Sequence, residues 1–344
     1  MTIIGTIAVK IWRRACKATH YGIGFADQLR DCAYLVRNSF RPGTPDSRFA
    51  ERYYTATDTG RPRVEGIVCI CDGRMLHGGP TDRLRGILTT YREARRRGIP
   101  FYISWTSPFP LEDYLVPAGF DWRIKQTDIC ASLAGALPVI IDDLPNLFGK
   151  MRLRAALARR KPQTHVYTNS DEARGEYAAL YREVFRPSEA LQREVDRHLA
   201  ILGGRYFAFT FRFLQLLGDF EDYLPTVLPP EQQNEFMEMV EAEMLRIVAG
   251  LPADCRILVT SDSRRFLDHV MHIDERIYVV PGDVKNVDRT QGDHKDAWMK
   301  TFVDQQLLMH ASRVYLMRTG AMYPSGFPRF AAEIGGAEFV YHNF

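Results

Sequence analysis

Neither sign of charge dominates the 344-residue sequence, in which 45 Lys and Arg oppose 42 Asp and Glu for a net charge of +3. That balance excludes an overall field strong enough to draw the chain onto nucleic acid. No apolar run approaches the roughly 20 residues that a membrane-spanning helix needs. The six cysteines, at 16, 32, 69, 71, 130 and 255, include no Cys-x-x-Cys pair and no zinc-module spacing. His269 and His272 stand three apart on a predicted helix, but the sequence places no further ligand beside them, so no metal site is expected. The opening MTIIGTIAVKIWRRACKATH sets its apolar stretch before its basic residues, the reverse of a secretory leader, and lacks a small-residue cleavage site. These absences describe a cytoplasmic protein with reduced, packed thiols, in which Cys69 and Cys71 alternate along a predicted strand and share one face. A weak attachment to the inner membrane surface stays open, through Ile3, Ile4, Ile7, Ile11 and Trp12 with Arg13, Arg14 and Lys17.

What is present is enough apolar material, 46% of the chain, for two cores of medium size. Residues 20–40 carry a helical pattern, and 41–63, rich in Pro, Gly, Thr and charge, form a connecting segment. From Val64 strands and helices alternate: GIVCIC, then TDRLRGILTTYREARRRG, then PFYISW, a loop rich in proline and aromatics, and the strands LPVIID and THVYTN. A polar helical stretch over 171–202, interrupted at Pro187, bridges to a second alternating block that begins at RYFAFTFRF and includes the strand RIYVVPGD. The division is therefore 1–63, 64–202 and 203–344, with parallel sheets covered by helices on both faces. The basic runs REARRRG and KMRLRAALARRK are interleaved with apolar residues at helical spacing and read as solvated helix faces.

In such sheets ligands bind beyond the carboxyl ends of the strands, and those ends carry the chemistry. HGGPTDRLRGI, at 77–87, follows a strand with a glycine turn and a helix start, the arrangement that offers backbone N–H groups to a ligand. Three strand ends in the second block supply Thr210-Phe211-Arg212, Ser261-Asp262-Ser263 and Tyr323-Pro324-Ser325-Gly326-Phe327. An arginine fork with helix N-terminal N–H groups suits a diphosphate, and a carboxylate among hydroxyls suits a ribose or base edge. Each piece also has a local reading: Arg212 pairing with Asp219 or Glu221, and Ser263 capping a helix.

Together, GGPTDRLRG, PFYISWTSPFPLEDYLVP, TFRFLQLLGDF, LVTSDS and KTFVDQQLLMHASRVYLMRTGAMYPSGFPRFAAEIGG resemble the GT-B type fucosyltransferases over roughly 64–340. That group includes the bacterial α-1,6-fucosyltransferases of nodulation, the O-fucosyltransferases and the plant xyloglucan enzymes. The resemblance implies an α/β, GT-B fold of two Rossmann-like domains facing across a cleft, here with an N-terminal helical extension. It implies an acceptor side for a glycan or glycoconjugate in the first domain and GDP-fucose in the second, with inversion at the sugar carbon and neither cofactor nor essential metal. Arg212 matches the arginine of the family's His-x-Arg motif, which supports the leaving phosphate. Ser261, Asp262 and Ser263 match the Thr/Ser-Asp-Ser segment that holds the nucleotide. Ser325, Gly326 and Phe327 match the Ser-x-Phe-Ser segment at the pyrophosphate. Two positions depart from the pattern: Thr210 stands for the histidine and Pro328 for the last serine, which removes a ring, a hydroxyl and a backbone donor.

By the same resemblance Gly78, Gly79, Asp82 and Arg85 line the cleft. The local alternative is that Thr81 or Asp82 caps the helix while Arg83 and Arg85 face solvent. No general base is marked by a motif, and the acids considered are Asp82, Glu112, Asp113 and Asp219. Trp105 and Phe109 suit either sugar stacking or packing, and the polar loop around His294 suits a flap over the donor. Two other functions compete with a fucosyltransferase: a non-catalytic carbohydrate- or nucleotide-binding protein of the same shape, and a GT-B enzyme using another sugar nucleotide.

Overall fold

Runs such as GIVCIC and RILVTS have no polar alternation, and strands of this kind require cover on both faces, as in a parallel sheet flanked by helices. The computed structural model describes residues 44–57, 61–141, 146–159, 161–222, 226–290, 292, 294–320 and 322–344. The helix expected over 20–40 and the apolar N-terminal stretch lie outside them. The first half runs α1 (Thr44–Tyr53), β1 (Gly66–Cys71), α2 (Pro80–Arg97), β2 (Phe101–Trp105), β3 (Leu115–Pro117), β4 (Ala136–Ile141), α3 (Asn146–Ala158), β5 (Gln163–Thr168), α4 (Tyr177–Val184), β6 (Phe185–Pro187) and α5 (Glu189–Leu202). The second runs β7 (Tyr206–Phe211), α6 (Pro230–Val248), β8 (Arg256–Ser261), α7 (Arg264–Val270), β9 (Ile277–Tyr278), α8 (Lys295–His310), β10 (Arg313–Arg318), α9 (Phe327–Gly335) and β11 (Glu338–Asn343).

Among the described residues two larger sheets form, in the orders β2-β1-β5-β4 and β11-β10-β7-β8-β9, with every pairing within them parallel, beside a two-stranded sheet of β3 and β6. Three expectations need correction. Part of the connecting segment over 41–63 is helix α1, which docks on the first sheet because Phe49, Ala50, Tyr53 and Tyr54 fall on one helical stripe. The Phe49 ring meets Tyr167 edge-on at 4.7 Å. Pro187 interrupts the 171–202 stretch within a short strand, β6, which pairs antiparallel with β3. The strand expected over RIYVVPGD pairs only at Ile277 and Tyr278, after which Pro281 cannot donate to a ladder and the chain crosses to the first half.

The cores are not divided between the halves. One apolar cluster runs from Ile67, Leu84 and Trp105 to Trp298, Phe302 and Phe330, so it passes through both sheets. A second lies in the later half around Phe209, Phe213, Val240 and Val259. Helix α8 joins the halves, and the aromatic loop after β2 packs on it. Phe109 contacts Trp105 at 5.7 Å and Trp298 at 5.5 Å, and Tyr114 stacks on Phe302 at 4.7 Å with 7° between planes. Trp105 and Phe109 are buried, which decides between packing and sugar stacking in favour of packing. Cys69, Cys71, Cys130 and Cys255 are free and buried, and burial pushes the Cys71 thiol up to about 12.

Beneath α1 a buried polar chain runs along β5. Gln163 Nε2 donates to Val64 O and Asp128 O, so its Oε1 accepts from His165 Nε2, and His165 Nδ1 accepts from Tyr54 Oη at 2.6 Å. Burial, then the nearby Arg74 charge, lowers the imidazole pKa from 6.5 to about 4. The folded chain thus resists a proton that the unfolded chain accepts below about 6.5, so this stabilisation is whole above that pH and is lost as pH falls toward about 4. The melting midpoint of wild type is expected to fall more steeply than that of His165→Gln across this window. Parallel curves would remove His165 as the cause.

Candidate functional site

The carboxyl ends of both sheets open on a cavity of about 560 Å³, lined by Gly73, Met75, Arg83 and Ser107 from the first half and by Asp288 and Thr290 from the second. The turn before α2 approaches it through Gly78, whose φ of +77° favours glycine. Helix α2 starts at Pro80 with Gly79 in the N-cap position and no side-chain cap. Thr81 and Asp82 therefore do not cap it as the alternative reading had it, and the Asp82 carboxylate accepts from Arg85 Nη2 instead.

Arg83 does not face solvent. Its side chain is 2% exposed and lies over the Trp105 ring at 4.9 Å. Its fork donates to Gly78 O at 3.0 Å, to Ser107 O at 2.5 Å and to Asp288 Oδ1 at 2.5 Å. The other Asp288 oxygen accepts from Gly78 N. A planar guanidinium serves such divergent acceptors at once, which an ammonium cannot do in fixed geometry. Arg85 is also directed inward: a Cβ placed on Gly326 would lie 3.2 Å from Arg85 Nη1, so this first-half arginine reaches the start of α9.

In the second half, Arg212 leaves β7 with its side chain 26% exposed. Nη2 donates to Asp222 at 2.9 Å, Nη1 lies 3.4 Å from Asp262, and the guanidinium stacks over Phe220 at 4.6 Å. The acidic partners are thus neither Asp219 nor Glu221. Arg212 O accepts from Tyr323 N at 2.9 Å, which fixes the arginine beside the Ser325–Phe327 turn. Asp262 points inward and accepts from Phe213 N and Leu214 N at 2.8 and 2.7 Å. Burial raises its carboxyl pKa, while Arg212 and these N–H groups oppose the rise. Ser261 Oγ accepts from Ser263 N, and Ser263 Oγ caps α7 at Phe266 N. The whole 261–263 segment thus braces a strand-to-helix turn, and Arg212 is the member that reaches the surface.

Several other expected residues lie elsewhere. Ser325 N and Phe327 N are engaged inside their own turn, and Pro328 has no N–H, so α9 offers fewer donors than the motif suggests. Thr210 Oγ1 donates to Tyr315 O at 2.9 Å within the sheet. Glu112 and Asp113 sit exposed on a 3₁₀ turn, and Asp219 accepts from Ser263 Oγ and Arg265 N at the start of α7. The cavity lining includes Gly292 of the His294 loop but none of Asp82, Glu112, Asp113 or Asp219. His269 pairs with Glu241 and His272 is exposed, and among the described residues no group of three His, Cys, Asp or Glu side chains could hold a metal. Arg92 also departs from the solvated-face reading, since it is buried against Glu172 O, whereas Arg95, Arg96 and Arg97 are exposed.

No family model and no curated protein matches the sequence. Solved structures do match the fold. A variant of Arabidopsis thaliana FUT1 in complex with GDP superposes with a TM-score of 0.53 at 12% identity, covering 87% of this chain and 75% of that one. Fucosyltransferase NodZ from Bradyrhizobium gives 0.50 at 14%, covering 78% of this chain and 92% of that one. The chain has the GT-B fold. The cavity has Arg83 on its first-half wall and Asp288 on its second-half wall, whereas Arg85 and Arg212 are not among its lining residues.

Arg83, Asn286 and Asp288 were absent from the expected site. For Arg83 a signal exists: with Leu84, Ile87, Leu88, Tyr91 and Ala94 it falls on the buried stripe of α2. For the 286–288 turn no local signal exists, because its partners lie far back in the chain.

Proposed function

We propose that this GT-B protein is a fucosyltransferase-like enzyme that transfers fucose from GDP-fucose to a glycan or glycoconjugate hydroxyl. The observation that carries this reading is the Arg212 fork at the end of β7, held by Asp222 and Asp262 beside the start of α9. FUT1, which shares the fold, is seen in complex with GDP. As the bond from the sugar carbon to the diphosphate breaks, negative charge gathers on the departing phosphate. Arg212 receives it as a bidentate cation, and Arg85, reaching Gly326 from the first half, adds a second positive charge where α9 supplies few N–H donors. Inversion and independence of metal belong to this proposal. So do a boundary between 202 and 203, an acceptor side in the first half, and a cytoplasmic location at or near a membrane surface.

The test is a thermal-shift panel of GDP, GDP-fucose, GDP-mannose, UDP and buffer. A ligand at a hundred times its Kd stabilises by about 2.7 kcal/mol. GDP-linked ligands are expected to raise the midpoint and UDP to leave it unchanged. A response to UDP alone would point to another sugar nucleotide, and no response would remove the nucleotide. Thr210, whose hydroxyl is engaged within the sheet, and Pro328 favour one competing reading, a binding protein of the same fold. That protein would respond to GDP yet release none from GDP-fucose.

A further inference from the structure

An unbroken polar chain runs from the first-half arginine Arg83 to the second-half arginine Arg212. Arg83 Nη2 donates to Asp288 Oδ1. Asp288 N donates to Asn286 Oδ1 at 3.0 Å, and Asn286 Nδ2 donates to Asp222 Oδ2 at 3.3 Å and to Glu221 O at 3.1 Å. Asp222 Oδ2 also accepts from Arg212 Nη2 at 2.9 Å. Asn286 O accepts from Arg289 N and Thr290 N, which closes the turn that carries both Asn286 and Asp288. Asp288 and Thr290 line the cavity from this turn.

We infer that Asn286 and Asp288 are positioning residues, and that through them Arg83 sets the orientation of the Arg212 fork. This rests on the proposed donor role of Arg212. The chemistry has a clear direction. Asp222 is 3% exposed and accepts from both Arg212 and Asn286 on one oxygen, so moving Asn286 alters what holds the guanidinium. Asn286 is held in turn by the backbone of Asp288, and Asp288 is fixed at both oxygens by the first half, through Arg83 and Gly78 N. Among the described residues, Asp288 is thus the one carboxylate of the cavity wall, and it is clamped from across the cleft. Its pairing with Arg83 is mostly buried, at 2% and 13% side-chain exposure, so water screens it little. The diphosphate of a sugar nucleotide then meets an arginine whose aim depends on the acceptor half being in place.

Two measurements on the full chain decide this. In the first, hydrogen exchange is followed without nucleotide in wild type, Arg83→Gln and Asn286→Ala. Arg83→Gln is expected to speed exchange in peptides covering 283–290 and 212–222, leaving 256–261 in β8 unchanged. Acceleration confined to 73–83, or spread over the whole chain, overturns the coupling. Asn286→Ala removes the middle link without stranding a buried charge, so it serves if Arg83→Gln folds poorly. It is expected to loosen 212–222 while leaving 73–83 as in wild type, and an unchanged 212–222 overturns the inference. In the second, GDP binding is titrated by calorimetry in both single variants and in the double variant. Each single change is expected to weaken binding about tenfold, with the double no weaker than the poorer single. Losses that simply add overturn the relay. If wild type binds no GDP, the donor reading fails, while the exchange data still decide whether the relay exists.

Discussion

Arg212→Lys is expected to lower GDP release from GDP-fucose by about 10²–10³-fold, the range found on removing one transition-state donor, while leaving the melting midpoint close to that of wild type. Lysine is the informative replacement because of what lies under Arg212. Asp222 and Asp262 are 3% and 2% exposed, and the guanidinium pairs with both. Truncation to alanine would remove the cation that both carboxylates face, which typically costs about 3–5 kcal/mol for one broken buried pair, and lost turnover would then be confused with lost folding. Lysine keeps a positive charge over both acids but presents a point where the arginine presents a fork. A wild-type rate of GDP release in Arg212→Lys would end the assignment of Arg212 to the leaving phosphate.

Gly86→Ala is expected to be the most damaging small substitution in α2. A Cβ at Gly86 would stand 2.2 Å from Thr168 O at the end of β5. The Cβ is fixed by the helix backbone and its partner is a backbone oxygen, so no side chain can rotate away, and the helix must lift from the sheet. Overpacking of this kind costs about 1–3 kcal/mol and at times more, and here the segment that lifts carries Arg83 and Arg85. Loss of thermal stability and of the GDP response should therefore appear together. Gly98→Ala is the control: Gly98 ends the same helix at φ +63° with open space around its would-be Cβ, so its cost is conformational strain without a clash. Equal melting midpoints for Gly86→Ala and wild type would mean that α2 does not rest on β5 as described.

The legible part of the fold was the part written in local pattern. Apolar runs bounded by turn residues marked the β7 and β8 strands, and the polar residues after them fell at the sheet's carboxyl edge, as Arg212 does. What Arg212 touches was not legible, because Asp222 shares one acidic run with Asp219 and Glu221, Asp262 lies far along the chain at another strand end, and only the fold selects among them. The loop after β2 was ambiguous for a related reason. An aromatic such as Phe109 reads alike whether it meets a sugar or a helix, and α8, which covers it, is encoded far away. Arg83 was lost to composition, since an arginine among many on a charged helix resembles its solvated neighbours Arg95, Arg96 and Arg97. The distinguishing mark was its phase on the helix rather than its charge.

The shared core has a consequence for how the chain comes into being. Phe109 and Tyr114 leave the ribosome long before Trp298 and Phe302, the residues that cover them. The early sheet therefore waits with its aromatic loop bare until α8 arrives, a delay that long-range pairing imposes on folding rate. A fragment ending at residue 202 would keep that surface exposed for good, as a patch that invites self-association. The two halves, distinct as sheets, thus mature as one unit, and nascent-chain protection during synthesis matters more for this protein than for one whose halves fold in turn.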